Sequence, residues 1–172
     1  MVLSDERIFR EAMEAYSDYL LRIAYLYVKD WQVAEDIVQD AFLTYYMKFE
    51  QFEERASLKT YLVRIVINKS KDYLKSWTYR KQQLTNHFFQ TKTDPQKMLQ
   101  QAERLDIAEA ILDLPILLRE VIIHYYYEEL SVLEVASLLR ISDNTVKTRM
   151  RRARQLLKEK LSSDEWEVLA NE

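Results

Sequence analysis

Ser142-Asp143-Asn144-Thr145-Val146-Lys147-Thr148-Arg149-Met150-Arg151-Arg152-Ala153-Arg154-Gln155-Leu156-Leu157 is the stretch whose spacing decides the fold. Val146, Met150, Ala153 and Leu157 recur at i, i+4, i+7 and i+11, which is one face of an α-helix. Lys147, Thr148, Arg151 and Arg152 fall on the opposite side, so a buried stripe backs a basic surface. Ser142 or Asp143 caps this helix, which runs to about Leu161. Upstream, Ser131 to Leu139 reads as a short helix with Val132, Val135, Ala136 and Leu139 inward, and Ser131 with Glu134 has capping-box spacing. Arg140-Ile141 is the turn between them. A short helix, a tight turn and a basic second helix make a helix-turn-helix. Thr145, Lys147, Thr148, Arg151 and Arg152 are the expected groove-facing residues, since Arg binds guanine edges bidentately and Thr packs on thymine methyls. Arg149 and Arg154 are expected at phosphates. The same basic helix could instead meet an acidic protein.

Working outward, the composition supports helix throughout. The 172 residues contain no Gly and only two Pro, Pro95 and Pro115. Tight hairpin turns lean on Gly for positive φ, so a Gly-free chain rich in Leu, Ala, Glu, Lys and Gln is expected to be all-α. The absence of Cys excludes a disulfide framework and a thiolate metal site. Residues 1–10 alternate charge with apolar side chains and carry no signal-peptide core, and no uncharged run reaches membrane-span length. These features predict a cytoplasmic protein without direct membrane insertion.

A first helix over about Asp5 to Val28 carries Ile8, Ala12, Ala15, Tyr19, Ile23 and Leu26 at helical spacing. Asp30 breaks it. A second, from about Gln32 to Phe49, buries Val33, Ile37, Val38, Ala41, Phe42 and Tyr45. Phe49 to Ser57 reads as a loop, and Ser57 or Thr60 caps a third helix reaching about Tyr79, with Tyr61, Leu62, Ile65, Val66 and Tyr73 as its apolar side. The period is lost from Thr78 to Pro95, around the isolated Phe88 and Phe89. Helix resumes near Gln96, breaks at Asp113-Leu114, and restarts with Pro115 in its first turn. Val121 to Tyr127 is β-branched and aromatic, a strand on propensity alone. With no partner strand elsewhere, it reads as helix.

Charge is unevenly placed. Residues 61–81 hold six basic and one acidic side chain, and residues 140–161 hold eight basic and two acidic, within a chain of net charge −3. Two separate basic footprints suit a long polyanion better than a small anion. Either block taken alone reads equally as a solvated helix face. On the second helix, Asp36, Gln39 and Asp40 lie at i, i+3 and i+4, an acidic face opposite the apolar stripe. On the third, Arg64, Asn68, Lys71 and Lys75 form a polar ridge equipped for phosphate and base contacts.

At these residues the chain resembles a known family. Leu130-Ser131-Val132-Leu133-Glu134-Val135-Ala136, followed by Asn144 to Arg154, is similar to the C-terminal DNA-binding region of bacterial extracytoplasmic-function (ECF) sigma factors. Asp113-Leu114-Pro115 and Arg119-Glu120-Val121 resemble the opening of that region. Ala34-Glu35-Asp36-Ile37-Val38-Gln39-Asp40-Ala41-Phe42 resembles the helix by which sigma factors hold RNA polymerase. Tyr61 to Asn68, with Asp72-Tyr73-Leu74, resembles the helix that reads the minus-ten promoter element. The resemblance implies two small helical domains. Residues 1–80 would bind core RNA polymerase through Asp36, Gln39 and Asp40 and the minus-ten element through Lys59, Arg64, Asn68, Lys71 and Lys75. Residues 81–105 would be the linker, and 106–172 the minus-thirty-five reader. It also implies a flipped base captured beside Asn68 by the loop from Phe52 to Lys59, and restraint by an anti-sigma factor, often membrane-anchored. No cofactor is implied. Phe49, Phe52 and Tyr61 could stack on bases, although aromatics at helical spacing more often belong to a core.

The sequence departs from the family pattern at three positions. Tyr61 stands where Trp is common, Arg140 where Gly is usual in the turn, and Asn144 where another small residue is common. The departure at Arg140 predicts a non-Gly residue in left-handed backbone, and Asn144 tolerates such geometry well. Two rival classes share some of these features. Glu120 and His124, at i and i+4, could supply two metal ligands, but the other His, His87, lies in the linker and no third ligand is suggested. A dimeric helix-turn-helix regulator would share the C-terminal motif and leave the acidic 34–42 segment unexplained.

Overall fold

A computed structural model describes residues 2–48, 57–76 and 105–170. The chain divides into two compact units, residues 1–93 and 94–172. All regular structure among the described residues is helical. The loop at 49–56, the segment from 77 to 104 with Phe88 and Phe89, and the start of the helix expected from Gln96 lie outside them.

In the first unit, α1 (Val2–Val28), α2 (Trp31–Met47) and α3 (Leu58–Lys75) pack pairwise. Lys29 takes φ 60, and Asp30 then caps α2 by accepting from the Val33 N–H at 3.0 Å. The Tyr25 ring stacks on Trp31 with centroids 4.1 Å apart, across the same corner. The core is built from Leu20, Ile23, Ala24 and Tyr27 of α1, Ala34, Ile37, Val38, Ala41, Phe42 and Tyr45 of α2, and Leu62, Val63, Val66 and Ile67 of α3. Ile8 and Ala15 of α1, expected inward, are exposed instead. Ala12, Ile23 and Leu26 are buried as expected, and burial extends to Leu20 and through the unbroken run Ile23–Val28, where two neighbouring helices cover it. Ser57 caps α3, and its hydroxyl accepts from Thr60 N–H at 3.2 Å. The helix closes at Ser76, before the expected Tyr79, and the Ser76 hydroxyl donates to Tyr73 O at 2.6 Å.

In the second unit, α4 (Leu105–Leu112) and α5 (Ile116–Ile122) meet at the Asp113-Leu114-Pro115 break, with Pro115 at the N-cap. Buried Arg119 binds this corner, donating from Nη1 to the Leu112 carbonyl at 2.6 Å. Beyond Ile122 the helix widens into a π turn, Ile123–Tyr127, which the Glu128 N–H closes on Ile123 O at 3.2 Å. The β-branched and aromatic run is therefore helical as expected, but in the wider form. After Glu129 (φ 55), α6 (Val132–Leu139) begins at Ser131 with a complete capping box. Ser131 N–H donates to Glu134 Oε2 at 2.8 Å, and Glu134 N–H to Ser131 Oγ at 3.3 Å. Arg140 takes φ 55, ψ 46, as the family comparison of this turn predicts, and the Ile141 N–H reaches back to Ala136 O at 3.0 Å. Asn144 does not share that conformation; it lies inside α7 (Asp143–Lys160). A last helix, α8 (Ser163–Ala170), packs on α7.

Candidate nucleic-acid interface and partner surface

The apolar stripe of α7 is buried along its length: Val146, Met150, Ala153 and Leu157 are all sealed against α5 and α6. Val146, Met150 and Leu157 contribute roughly 1.5–3 kcal/mol each on leaving water, which fixes α7 to the unit by one face. Ser142 caps its start, accepting from Thr145 N–H at 3.1 Å while its hydroxyl shares a 2.8 Å hydrogen bond with the Thr145 hydroxyl. Thr145 is thereby half-buried, whereas Lys147, Thr148, Arg151 and Arg152 are exposed on the outer face. Lys147 lies beside Asp143 at 3.4 Å, a solvent-exposed pair that a phosphate can compete for.

Arg149 and Arg154, expected at phosphates, are turned onto the preceding helix. Arg149 Nη1 meets Glu120 Oε1 at 3.0 Å, and the Glu120 side chain is only 2% exposed. Arg154 Nε donates to the Tyr126 hydroxyl at 2.9 Å, with its guanidinium within 6 Å of both the Tyr125 and Tyr126 rings. Glu120 and His124 are thus engaged in different places. Glu120 faces Arg149, and His124 Nδ1 lies 3.2 Å from Glu128 Oε2. Among the described residues no group of three or more His, Cys, Asp or Glu is placed to hold a metal ion.

In the first unit, Asp36, Gln39 and Asp40 are exposed on α2, as their spacing predicts. They border a groove of about 530 Å³ between α2 and α3, whose walls also include Leu43, Lys69 and Asp72. Lys69 Nζ reaches Asp40 Oδ2 at 3.5 Å. Two residues that the charge pattern overlooks continue this face by helical spacing: Leu43 (57% exposed) and Met47 (83% exposed), beside Tyr46. Apolar side chains left in water on a face begun by acids were the missed signal.

Of the expected minus-ten residues, Asn68 and Lys75 are exposed on α3, and Arg64 and Lys71 are half-buried. Lys59 is exposed but lies over the Tyr19 ring, 4.1 Å from its centroid. Tyr61 packs edge-on against Tyr45 at 6.3 Å, within the core edge. Burial pushes the Tyr45 phenol above its ordinary value, with Tyr61 adding to the effect. Phe49 and Phe52 lie outside the described residues. Among the described residues no helix is long and apolar enough to cross a membrane.

Family models match both units: Sigma-70 region 2 over residues 12–78 and Sigma-70 region 4 over residues 104–157. The ECF RNA polymerase sigma factor SigW of Bacillus subtilis is 30% identical, across 91% of this chain and 90% of its own length. The RNA polymerase sigma-E factor of Streptomyces coelicolor is 29% identical, across 95% and 92%. Among solved structures, the sigma factor RpoE of Bartonella quintana, bound to the anti-sigma factor NepR, shares the fold with a TM-score of 0.71 at 24% identity over 92% of this chain and 99% of that one. CnrH, bound to the cytosolic domain of CnrY, does so at 0.62 and 22%, over 90% and 87%.

Proposed function

The chain belongs to the ECF sigma factors of RNA polymerase, and on that premise we propose how its residues divide the work of directing promoter-specific initiation. Residues 1–80 serve as the module that docks on core polymerase and opens the minus-ten element, 81–105 as the linker, and 106–172 as the minus-thirty-five reader. The observation that carries this reading is the outer face of α7, where Lys147, Thr148, Arg151 and Arg152 stand exposed directly behind a sealed apolar stripe. Such a face enters a major groove with Arg and Thr aimed at base edges and Lys at the phosphates.

On α2, Asp36, Gln39 and Asp40, continued by Leu43 and Met47, form a face complementary to a basic and partly apolar partner helix. On α3, exposed Asn68 and Lys75, with Arg64, Lys71 and Lys59, would track the minus-ten strand beside a flipped base. An anti-sigma factor, as NepR is for RpoE, would hold the chain inactive in the cytoplasm by covering these faces, whether that partner is soluble or membrane-anchored.

Run-off transcription with core polymerase and a promoter library tests the proposal. Arg152→Ala or Lys147→Ala should lower minus-thirty-five-dependent initiation tenfold or so while core binding persists, a loss on the scale of one good base or phosphate contact. Asp36→Ala should weaken co-purification with core. Binding of a palindromic duplex by a free dimer, without core, would instead favour a stand-alone regulator.

A further inference from the structure

The buried stripe of α7, formed by Val146, Met150, Ala153 and Leu157, holds the helix down along one narrow face. At about 100° per residue, Arg149 and Arg154 project about 70° to either side of that face. Each finds a partner on the same preceding element: Arg149 on Glu120 of α5 at 3.0 Å, and Arg154 on the Tyr126 hydroxyl in the π turn at 2.9 Å. Tyr126 lies within the π turn, which holds one residue more than an α turn, and it serves the flank of α7 opposite the one that Glu120 serves. Resting on the reading of α7 as the DNA helix, we infer that Arg149 and Arg154 are positioning residues, two lateral straps that fix the rotation of α7 and so aim Lys147, Thr148, Arg151 and Arg152 at the groove. The π turn is the anchor of the second strap. Neither arginine then neutralises a phosphate, although both belong to the basic run.

Counterion release separates a strap from a contact, because each phosphate neutralised adds about 0.9 to the slope of log affinity against log salt. Holoenzyme assembled from core polymerase and the full chain would be titrated with promoter duplex over a salt series. The duplex would carry either the preferred or an altered minus-thirty-five element. Tyr126→Phe, Arg154→Met and Glu120→Gln should each weaken promoter binding about threefold to tenfold, the span of one lost hydrogen bond. They should leave the salt slope unchanged and shrink the preference for the correct element. Tyr126→Phe combined with Arg154→Met should cost no more than either change alone. Arg151→Met, a charge removed from the outer face, should lower the slope. The straps are refuted if Arg154→Met lowers the slope as Arg151→Met does while Tyr126→Phe is silent. They are also refuted if affinity falls with the preference intact, since that marks a smaller folded fraction only. Should Arg151→Met and Lys147→Met also leave promoter binding untouched, the DNA role of α7 falls and the straps fall with it.

Discussion

Arg140 holds left-handed backbone at the turn between α6 and α7, and its side chain is exposed. For an L-residue with a Cβ this conformation costs about 1–2 kcal/mol, and glycine adopts it freely. Part of that gain is returned through the greater freedom of glycine in the unfolded chain. Arg140→Gly should therefore stabilise the second unit by somewhat less than 1–2 kcal/mol, read as a higher urea midpoint with an unchanged m-value. Glu134 carries a pH signature at the other end of α6. Hydrogen bonds from the Ser131 side chain, then its backbone, hold the Glu134 carboxyl below its ordinary value of 4.5. A carboxyl lowered by folding contributes stability that is fully present above the ordinary value and is lost as pH falls through the lowered one. Glu134→Gln should thus destabilise at neutral pH, and the gap to the parent chain should close on acidification below 4.5. A gap that stays constant down to low pH would show that the Glu134 charge is not what stabilises this end of the helix. Removing the other half, Ser131→Ala, should cost about 1 kcal/mol.

At the scale of elements, periodicity made most of the fold legible. The stripe of α7, the capping box of α6, the turn at Arg140-Ile141 and the buried face of α2 from Ile37 to Tyr45 all follow from local spacing. Local spacing does not say what a residue at the edge of a stripe will meet. Arg149 and Arg154 sit 29 and 28 residues from Glu120 and Tyr126, so their inward turn depends on tertiary packing. The π form of Ile123–Tyr127 was hidden for a related reason: β-branched and aromatic residues disfavour a regular helix without naming what replaces it. On α2 the charges were legible and the exposed Leu43 and Met47 were not, because apolar residues at helical spacing look like core. Leu43→Ser should lower affinity for core polymerase about tenfold, the worth of one apolar side chain sealed in an interface, without changing helix content. A surface-plasmon or fluorescence titration with core polymerase measures the first, and circular dichroism checks the second.

For the whole molecule, the balance of charge matters more than either basic block. Net charge is −3, with most of the excess acid in residues 1–60 and 107–139. A chain of net negative charge is repelled by DNA at long range, so the basic face of α7 alone is expected to bind weakly. Fluorescence anisotropy should find weak binding of the free chain to random duplex at physiological salt. Charge-neutralising changes in residues 1–60, such as Glu11→Gln with Glu14→Gln, should raise that nonspecific binding. Unchanged binding would show that the net charge of the chain does not limit its approach to DNA.

The exposed run at the end of α2 has a consequence for dosage. Leu43 and Met47 are exposed, with half-exposed Tyr46 beside them, and uncovered apolar surface favours contact with further copies of the same chain. Solubility in a cell then becomes a question of stoichiometry. Chains in excess of any partner that covers this face should therefore self-associate as their concentration rises, which sedimentation of the free chain measures and Leu43→Ser should reduce.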